Sequence, residues 1–569
     1  MNNENIFSHF PLLAANWGVL LKFFIIIILG LMVAIYIYDR YIQRKNQLLI
    51  NFPLIGRMRY LFYMLRGPMR QYFGDETFYD SFEKLEWINK SSKKENAYLS
   101  FSPSEPYANQ KILFKHANFV KEVKEVQEAF SVTFGKDRKK PYISQSIVGR
   151  SAMSDGAISP EGTRAFAIGA YKGNFPINTG EGGLTSNFLA TLNTHTSNID
   201  YLEIKKGTWF AKGTYKLIRL LTNKEISQRV YKKMLVRQKD RGTFIFDDIK
   251  LLYFRIDWAK NLDLFPLDVP EGVQDITFQI GSGLYGVRDS DGNFDKIRYQ
   301  KVMRFCRMTE IKIAQGAKQT GGKLLAAKVS DSIAYYRGIS ANKNLISPNC
   351  FPYAKDMNSL FDFIDNLQNL SEKPVGFKIV ISDRENFELY AKAFKKRKDA
   401  GKNIADFITV DGGDGGSATA PLEMMSKIGL PIREALTIVK EVLLDYGLDE
   451  DIKIIAAEKV LTPDDIVELF CYGADFINIA RGFMISAGCI RARECSGAGG
   501  RNCPVGLATM DEGKRSKYLV LQKAKNIANY HQELLHGVQS LLAVMGKIHI
   551  DELNMNDLMI KKDTYLKEV

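Results

Sequence analysis

The sequence predicts an α/β protein, a (β/α)8 TIM barrel with an N-terminal transmembrane helix, a helical N-terminal segment and an insertion after the second β/α unit. Three observations predict it. One long apolar run stands near the N-terminus, eight short β-branched runs alternate with helical patterns beyond residue 140, and each of these runs ends in a polar or glycine-rich turn. The composition, 46% hydrophobic and 25% charged with 44 Gly and 17 Pro, excludes a disordered, collagen-like or low-complexity chain. Six cysteines in 569 residues are too few for a disulfide scaffold and point to a reducing compartment. A net charge of +14, from 78 Lys and Arg against 64 Asp and Glu, calls for an anionic partner. Nucleic acid and a lipid surface both qualify, and the placement of the charge decides between them.

Residues 23–38 (FFIIIILGLMVAIYIY) carry no charge, and with Trp17 to Leu21 the apolar stretch reaches 22 residues, interrupted only by Lys22. That length spans a hydrocarbon core of about 30 Å. Lys22 lies near the end, where its stem can reach the headgroups, and Trp17 with Tyr36, Tyr38 and Tyr41 forms aromatic belts. A cleaved signal peptide fits less well, because no basic segment precedes the run and no small-x-small site follows it. Residues 17–39 are therefore expected to span the membrane, with residues 1–16 as a short extracytoplasmic N-terminus.

From Arg40 to Arg70 there are seven basic residues and no acidic one, whereas residues 1–11 hold one acid, Glu4, and no Lys or Arg. The positive-inside bias places everything after residue 40 in the cytoplasm, under an inner or cytoplasmic membrane. Leu54, Ile55, Met58, Leu61, Phe62 and Leu65 form an apolar stripe among these arginines, suited either to an anionic leaflet or to packing on the body. Half of the net charge lies here, so nucleic acid is not needed to explain it. Residues 40–140 read as a basic juxtamembrane and helical segment.

The barrel is expected over residues 141–515. Its strand-like runs are 143–148, 176–178, 276–280, 344–347, 375–381, 407–410, 452–456 and 476–479. Helical patterns intervene at 160–171, 299–315, 384–398 and 422–446. A doubly wound open sheet competes, and the count of eight favours the barrel. Residues 200–272 read as an insertion with basic helical text at 216–241, and 516–569 as a helical, charged tail that closes the barrel or mediates assembly.

Barrel chemistry belongs to the turns that follow the strands. These turns hold many glycines and none of the six histidines, which argues against a histidine-based metal or triad site. Glycine turns that present backbone N–H groups suit a phosphate-bearing cofactor, and DGGDGG at 411–416 is the best candidate. Cys489, Cys495 and Cys503 cluster in one loop ahead of Pro504. They read either as an iron–sulfur ligand set or as three ordinary thiols. Cys306 and Cys471 read as core residues.

GRSAMSDGAIS (149–159), NTGEGG (178–183), KIAQGAK (312–318), KPVGFK (373–378), FITVDGGDGG (407–416), IKIIA (452–456), INIARG (477–482) and CPVGLAT (503–509) complete the pattern. Together they resemble, in order, the synthase domain of the FMN-binding glutamate synthase family. With NFPLIGRMRYLFYMLRGPMRQYF (51–73) behind an apolar helix, the chain is most similar to the short, membrane-anchored, YerD-like members. The resemblance spans nearly the whole chain except the insertion.

It implies FMN, a [3Fe–4S] cluster, and reductive amination of 2-oxoglutarate, via 2-iminoglutarate, to L-glutamate. By matching motif, Ser151, Ala152, Met153, Ser154, Asn178 and Gln315 would line the flavin, with Lys378 near its pyrimidine end. Asp411, Gly412, Gly413, Arg481 and Gly482 would approach the phosphate. Lys318 and Arg337 would hold the dicarboxylate, Glu181 would face the ammonia channel, and Cys489, Cys495 and Cys503 would bind the cluster.

The departures are specific. The family's glutaminase and β-helix domains have no counterpart in the sequence, so nitrogen is expected as free ammonia or from a separate glutaminase, and electrons from a ferredoxin-like or other donor. The cysteines are spaced C-x5-C-x7-C where the family usually has C-x5-C-x4-C. Glu458 and Pro463 replace glycines expected near the flavin phosphate, Ala418 replaces another, and Lys323 stands for a frequent glutamine. SPNC (347–350) lacks the histidine often found there. Two further readings follow from these departures: a barrel without cofactor that serves as a membrane-tethered assembly or regulatory protein, and a flavin oxidoreductase for another imino or keto acid.

Overall fold

The computed structural model describes residues 10–43 and 82–568 apart from 99–111, 191–198, 206, 236–242, 247–250, 317–320, 414, 418–419, 422, 425, 497–501, 517 and 563–564, with 49, 53–58, 61 and 64–65 between. Two compact units divide the chain, Met1–Asp75 and Glu76–Val569.

The first unit is built on the helix Phe10–Ile37, which ends in a π-helical turn, Tyr38–Ile42. Leu21–Ile42 is long and apolar enough to cross a membrane, and its most apolar stretch is not buried within the protein. Just past the apolar run, Asp39 accepts two hydrogen bonds from the Arg57 guanidinium, at 2.8 Å from Nε and 2.6 Å from Nη2. This acid is thereby paired within the arginine-rich segment that follows.

In the second unit eight parallel strands close into a barrel. They are β1 Val148–Arg150, β2 Ile177–Asn178, β3 Ile276–Ile280, β4 Met308–Lys312, β5 Val375–Ile379, β6 Phe407–Asp411, β7 Lys453–Ala457 and β8 Phe476–Ile479. Strand order follows chain order around the ring, and β8 returns to β1 through the Ile477–Val148 pair. Strands such as β3 and β6 are buried on both faces, so they show no strict alternation of apolar and polar residues. The helices between them start and stop on local signals. Before Pro160–Gly173 the Ser159 hydroxyl accepts the Gly162 N–H, Pro160 stands in the first turn, and Asn174 ends the helix at φ +55°.

The expected count of eight strands is correct, although three assignments differ. The run expected at 143–148 falls mostly on the hairpin strand Tyr142–Ser144, outside the barrel, and meets β1 only at Val148. Residues 344–347 are not a barrel strand; Leu345–Ile346 pairs antiparallel with Lys323–Leu324 in a separate ribbon. The missing strand is β4, inside the stretch expected to be helical at 299–315, where the helix Lys296–Met303 ends before it. Glu310 and Lys312 disguise β4 as helix text, because its inward face is polar. The helix expected over 422–446 is only Ile432–Asp445.

The insertion after β2 folds as two helices, Trp209–Leu221 and Lys224–Leu235, beside a three-stranded antiparallel sheet of Leu202–Lys205, Leu251–Ile256 and Thr243–Phe246. The tail is helical over Val520–Val544 and then turns to strand, Leu558–Lys562 pairing with Ile112–Phe114. Its long helix covers the barrel's outer face. Trp87 meets Tyr530 edge-on at 6.0 Å, and Asn529 Nδ2 donates to the Ser92 carbonyl at 3.0 Å.

Side chains inside the barrel change character along the strand direction. At the N-terminal end Met308, Phe407, Ile455 and Phe476 close around Phe134 and Tyr142, which come from a hairpin of Val132–Phe134 and Tyr142–Ser144. Two residues further along β4 and β6 the same face is polar, with Glu310 and Thr409. Two further still it is charged, with Lys312 and Asp411. An apolar plug below and charge above leave the C-terminal mouth as the place for chemistry.

Candidate active site

At the centre of the barrel the buried Glu310 carboxylate accepts hydrogen bonds from Asn178 Nδ2 at 2.9 Å, Gln279 Nε2 at 2.6 Å and the Thr409 hydroxyl. Asn178 is fixed in turn, because its amide oxygen accepts the Gly180 N–H at 2.9 Å. A buried carboxylate with three donors is fully engaged, and it places negative charge beneath the mouth.

Two cations stand above it. Lys378 is buried with Nζ 3.3 Å from Asp411, whose other oxygen accepts the Gly316 N–H at 2.8 Å. Burial opposes the Lys378 charge, but Asp411, Glu310 and Glu181 outweigh it and hold its pKa above the ordinary lysine value. Lys312 donates to Glu181 at 2.7 Å and to Gln315 Oε1 at 2.9 Å. The expected residues thus form two pairs, Glu181 with Gln315 through Lys312, and Lys378 with Asp411.

A third cation borders the loop after β1. Arg337, 5% exposed, donates from Nη2 to the Asp155 carbonyl at 3.2 Å and to the Ser154 hydroxyl at 3.4 Å. Among the described residues its Nε has no hydrogen-bond partner. Burial pulls the Arg337 pKa down, and Tyr285, Asp155 and Glu181 oppose that. Buried Arg150 grips the same loop from below, donating to the Ser151 and Met153 carbonyls at 3.0 Å each. Asp155 is held by the Thr185 hydroxyl at 2.6 Å and Asn187 Nδ2 at 2.7 Å. Ser151, Ala152, Met153 and Ser154 are therefore fixed from both sides. Gly180, at φ +63°, lets the β2 turn approach, since a Cβ there would lie 2.8 Å from the Ser154 nitrogen.

The expected phosphate end is less open. A Cβ on Gly412 would collide with the Glu458 carboxylate, and one on Gly413 with the Gly429 carbonyl. Glu458 is buried, so its carboxylate occupies the space over Gly412. A Cβ on Gly416 would lie 3.2 Å from the Arg481 guanidinium, while Gly482 faces the Tyr530 hydroxyl in the tail helix. Lys318 lies outside the described residues.

Cys489 and Cys495 are half-buried and Cys503 is buried. Burial pushes the Cys489 thiol up to about 12, with Cys495 and Cys503 adding to the shift, and Cys495 is raised by burial and Cys503. Lys328 Nζ donates to the Cys495 carbonyl at 2.6 Å. Among the described residues no group of three His, Cys, Asp or Glu is spaced to hold a single metal ion. Cys306 and Cys471 are buried, as expected for core residues.

Residues 83–548 match the family described as a conserved region in glutamate synthase. The chain belongs to the glutamate synthase family. It is 29% identical over 556 residues to the glutamate synthase large subunit-like protein YerD of Bacillus subtilis (strain 168), covering 90% of this chain and 89% of that one. It is 29% identical over 292 residues to the ferredoxin-dependent glutamate synthase of Antithamnion sp., and 28% over 306 residues to the large chain of the NADPH glutamate synthase of Azospirillum brasilense. The match covers 18% and 19% of those two proteins. Among solved structures, a mutant of the active chimera of (S)-mandelate dehydrogenase aligns over 84% of this chain and 92% of its own, at 11% identity and a TM-score of 0.41.

Family membership does not assign roles to residues; the geometry adds several to which motif matching gave no role. Glu310, Gln279 and Thr409 build the floor of the site, Lys312 joins Glu181 to Gln315, and Arg150 with Asp155 fixes the first loop. Period-two alternation in MTEIK, with Glu310 and Lys312 on one face, was the available signal for β4 and its site residues.

Proposed function

We propose that the protein is an FMN-dependent oxidoreductase of the glutamate synthase type, acting on 2-oxoglutarate and ammonia to give L-glutamate, and anchored by its N-terminal helix with the barrel in the cytoplasm. The observation that carries this reading is Arg337, a buried guanidinium at the barrel mouth whose Nε has no partner among the described residues. A substrate carboxylate that gains this buried edge as the surrounding side chains move apart supplies the missing acceptor, and a planar guanidinium suits it. Lys318 matches the second carboxylate position of the family, as a dicarboxylate requires.

Ser151, Ala152, Met153, Ser154, Asn178, Gln315 and Lys378 fit the ring end of FMN; Asp411, Gly412, Gly413, Arg481 and Gly482 fit its phosphate end, with Glu458 as an opposing charge. Bound FMN would supply the reducing equivalents for 2-iminoglutarate, and a cluster on Cys489, Cys495 and Cys503 would deliver electrons to it. The protein's own share is electrostatic and positional. Arg337 orients the dicarboxylate; Lys378, kept charged by Asp411 and Glu310, stabilises negative charge at the reacting end; Glu181 and Gln315 hold Lys312 at the mouth. The plug of Phe134, Tyr142 and Phe476 closes the far end of the barrel to water.

Glu458 favours a second reading, a barrel that does not retain flavin and serves as a membrane-tethered assembly or regulatory protein. An absorption spectrum of protein purified in mild detergent separates the two. Flavin bands in the near-ultraviolet and blue are expected, with a broad iron–sulfur shoulder. A colourless protein that takes up no FMN on reconstitution supports the second reading instead.

A further inference from the structure

The insertion exposes a helix whose apolar side faces outward. On Trp209–Leu221 the side chains of Trp209, Leu220 and Leu221 are 85%, 84% and 76% exposed, and Phe210 and Leu217 are exposed with them. At 3.6 residues per turn these five lie within about 120° of arc. The opposite side packs on the second helix and the sheet of the insertion. Ala211 is buried with Tyr231 and Tyr253, and the Tyr215 ring stands 5.5 Å from that of Tyr231. The outward arc is thus a fixed surface, held by a packed inner face.

Charge borders this arc. Lys212, Lys216 and Arg219 line its edge, are exposed, and have no ion-pair partner among the described residues. From residue 204 to 224 the chain holds six basic residues and no acid. The stretch after the candidate membrane span, from Arg40 to Arg70, has the same bias. An aromatic and aliphatic strip edged by cations fits the interface of an anionic bilayer, where rings and leucines enter the headgroup boundary and lysines meet lipid phosphate.

We propose that the helix Trp209–Leu221 is a second membrane contact, docking the body on an anionic bilayer surface through Trp209, Phe210, Leu217, Leu220 and Leu221. The N-terminal anchor makes this docking intramolecular, so a weak interfacial helix suffices. In that respect it rests on the anchored reading, and it is independent of the catalytic one.

The test uses the full chain in nanodiscs of brominated phosphatidylcholine, with or without brominated phosphatidylglycerol. The difference between wild type and Trp209→Phe isolates the Trp209 emission, and the difference for Trp17→Phe reports the anchor. Severalfold quenching of Trp209 in the anionic discs is expected, lost in high salt and in a Lys212→Glu/Lys216→Glu/Arg219→Glu variant. If Trp209 is unquenched while Trp17 is quenched, the docking is wrong and the anchor stands. If neither is quenched, both fail. Quenching that ignores lipid charge, or a Trp209 blue shift that grows with protein concentration in detergent, overturns the proposal in favour of non-specific adsorption or self-association.

Discussion

Replacing Arg337 with glutamine removes the charge while leaving a polar side chain in the same buried position. Two effects can be separated from the structure. The contacts to Ser154 and Asp155 are long, 3.4 and 3.2 Å, so their loss costs together about 1 kcal/mol of stability. The Nε side has no partner among the described residues to lose, so its worth is expressed only when a carboxylate binds. A charge-assisted hydrogen bond is worth about 1.5–3 kcal/mol, which converts to a factor of about 10–150. The KM for 2-oxoglutarate should therefore rise by that factor in ammonia-dependent glutamate formation, with a much smaller change in kcat. Arg337→Lys should recover only part of it, because an ammonium lacks the planar fork. The thermal shift that 2-oxoglutarate induces in the unreduced protein should shrink in parallel. A folded Arg337→Gln protein with KM within twofold of wild type would refute the assignment of this guanidinium to the substrate.

Glu310→Gln turns an amide N–H toward groups that already donate, from Asn178, Gln279 and Thr409, and should cost about 2–3 kcal/mol in denaturant unfolding. An unchanged midpoint would mean that the three donors are satisfied elsewhere. Glu458→Gln removes a carboxylate from the space over Gly412; like unit charges 4 Å apart repel by about 4 kcal/mol at an effective dielectric of 20, so FMN should bind at least about tenfold more tightly. Equal FMN affinity in fluorescence titration would remove Glu458 from the phosphate site. His531 is buried, stacks on Phe175 at 4.5 Å and is bonded to the Ser146 hydroxyl at 2.7 Å, and burial lowers its pKa to about 3. The unfolded chain then binds the extra proton between about pH 6.5 and 3, so stability falls with acidification by up to about 1.4 kcal/mol per pH unit over that window. His531→Gln should flatten this slope in urea midpoints measured across the window, even if it lowers stability at neutral pH.

Barrel closure was legible because strands such as β3, β5 and β6 are dense in β-branched residues and end in glycine or charge. β4 was not, since the strand that builds the site puts Glu310 and Lys312 inward, and a polar inner face erases the apolar signal. Leu345–Ile346 reads as a barrel strand for the converse reason, a short apolar run that pairs with Lys323–Leu324 outside the barrel. Motif matching reached the residues on the glycine turns, including Glu181, Gln315 and Asp411. It did not reach Gln279 and gave no role to Thr409 and Arg150 inside the quoted motifs, because their importance lies in which neighbour they bond rather than in a local pattern. The insertion's helices were partly visible as basic text, but nothing in the sequence says which side of Trp209–Leu221 is seated and which faces outward.

The most direct measurement follows the flavin and the product together. Anaerobically reduced, FMN-reconstituted protein is mixed with 2-oxoglutarate and 15N-ammonium, recording absorbance of the oxidised flavin and 15N-labelled L-glutamate in the same sample. Return of the oxidised spectrum only when both substrates are present, with one labelled glutamate per flavin, is the predicted result. A flavin that stays reduced with both substrates present, or that is reoxidised without labelled glutamate, contradicts the assignment.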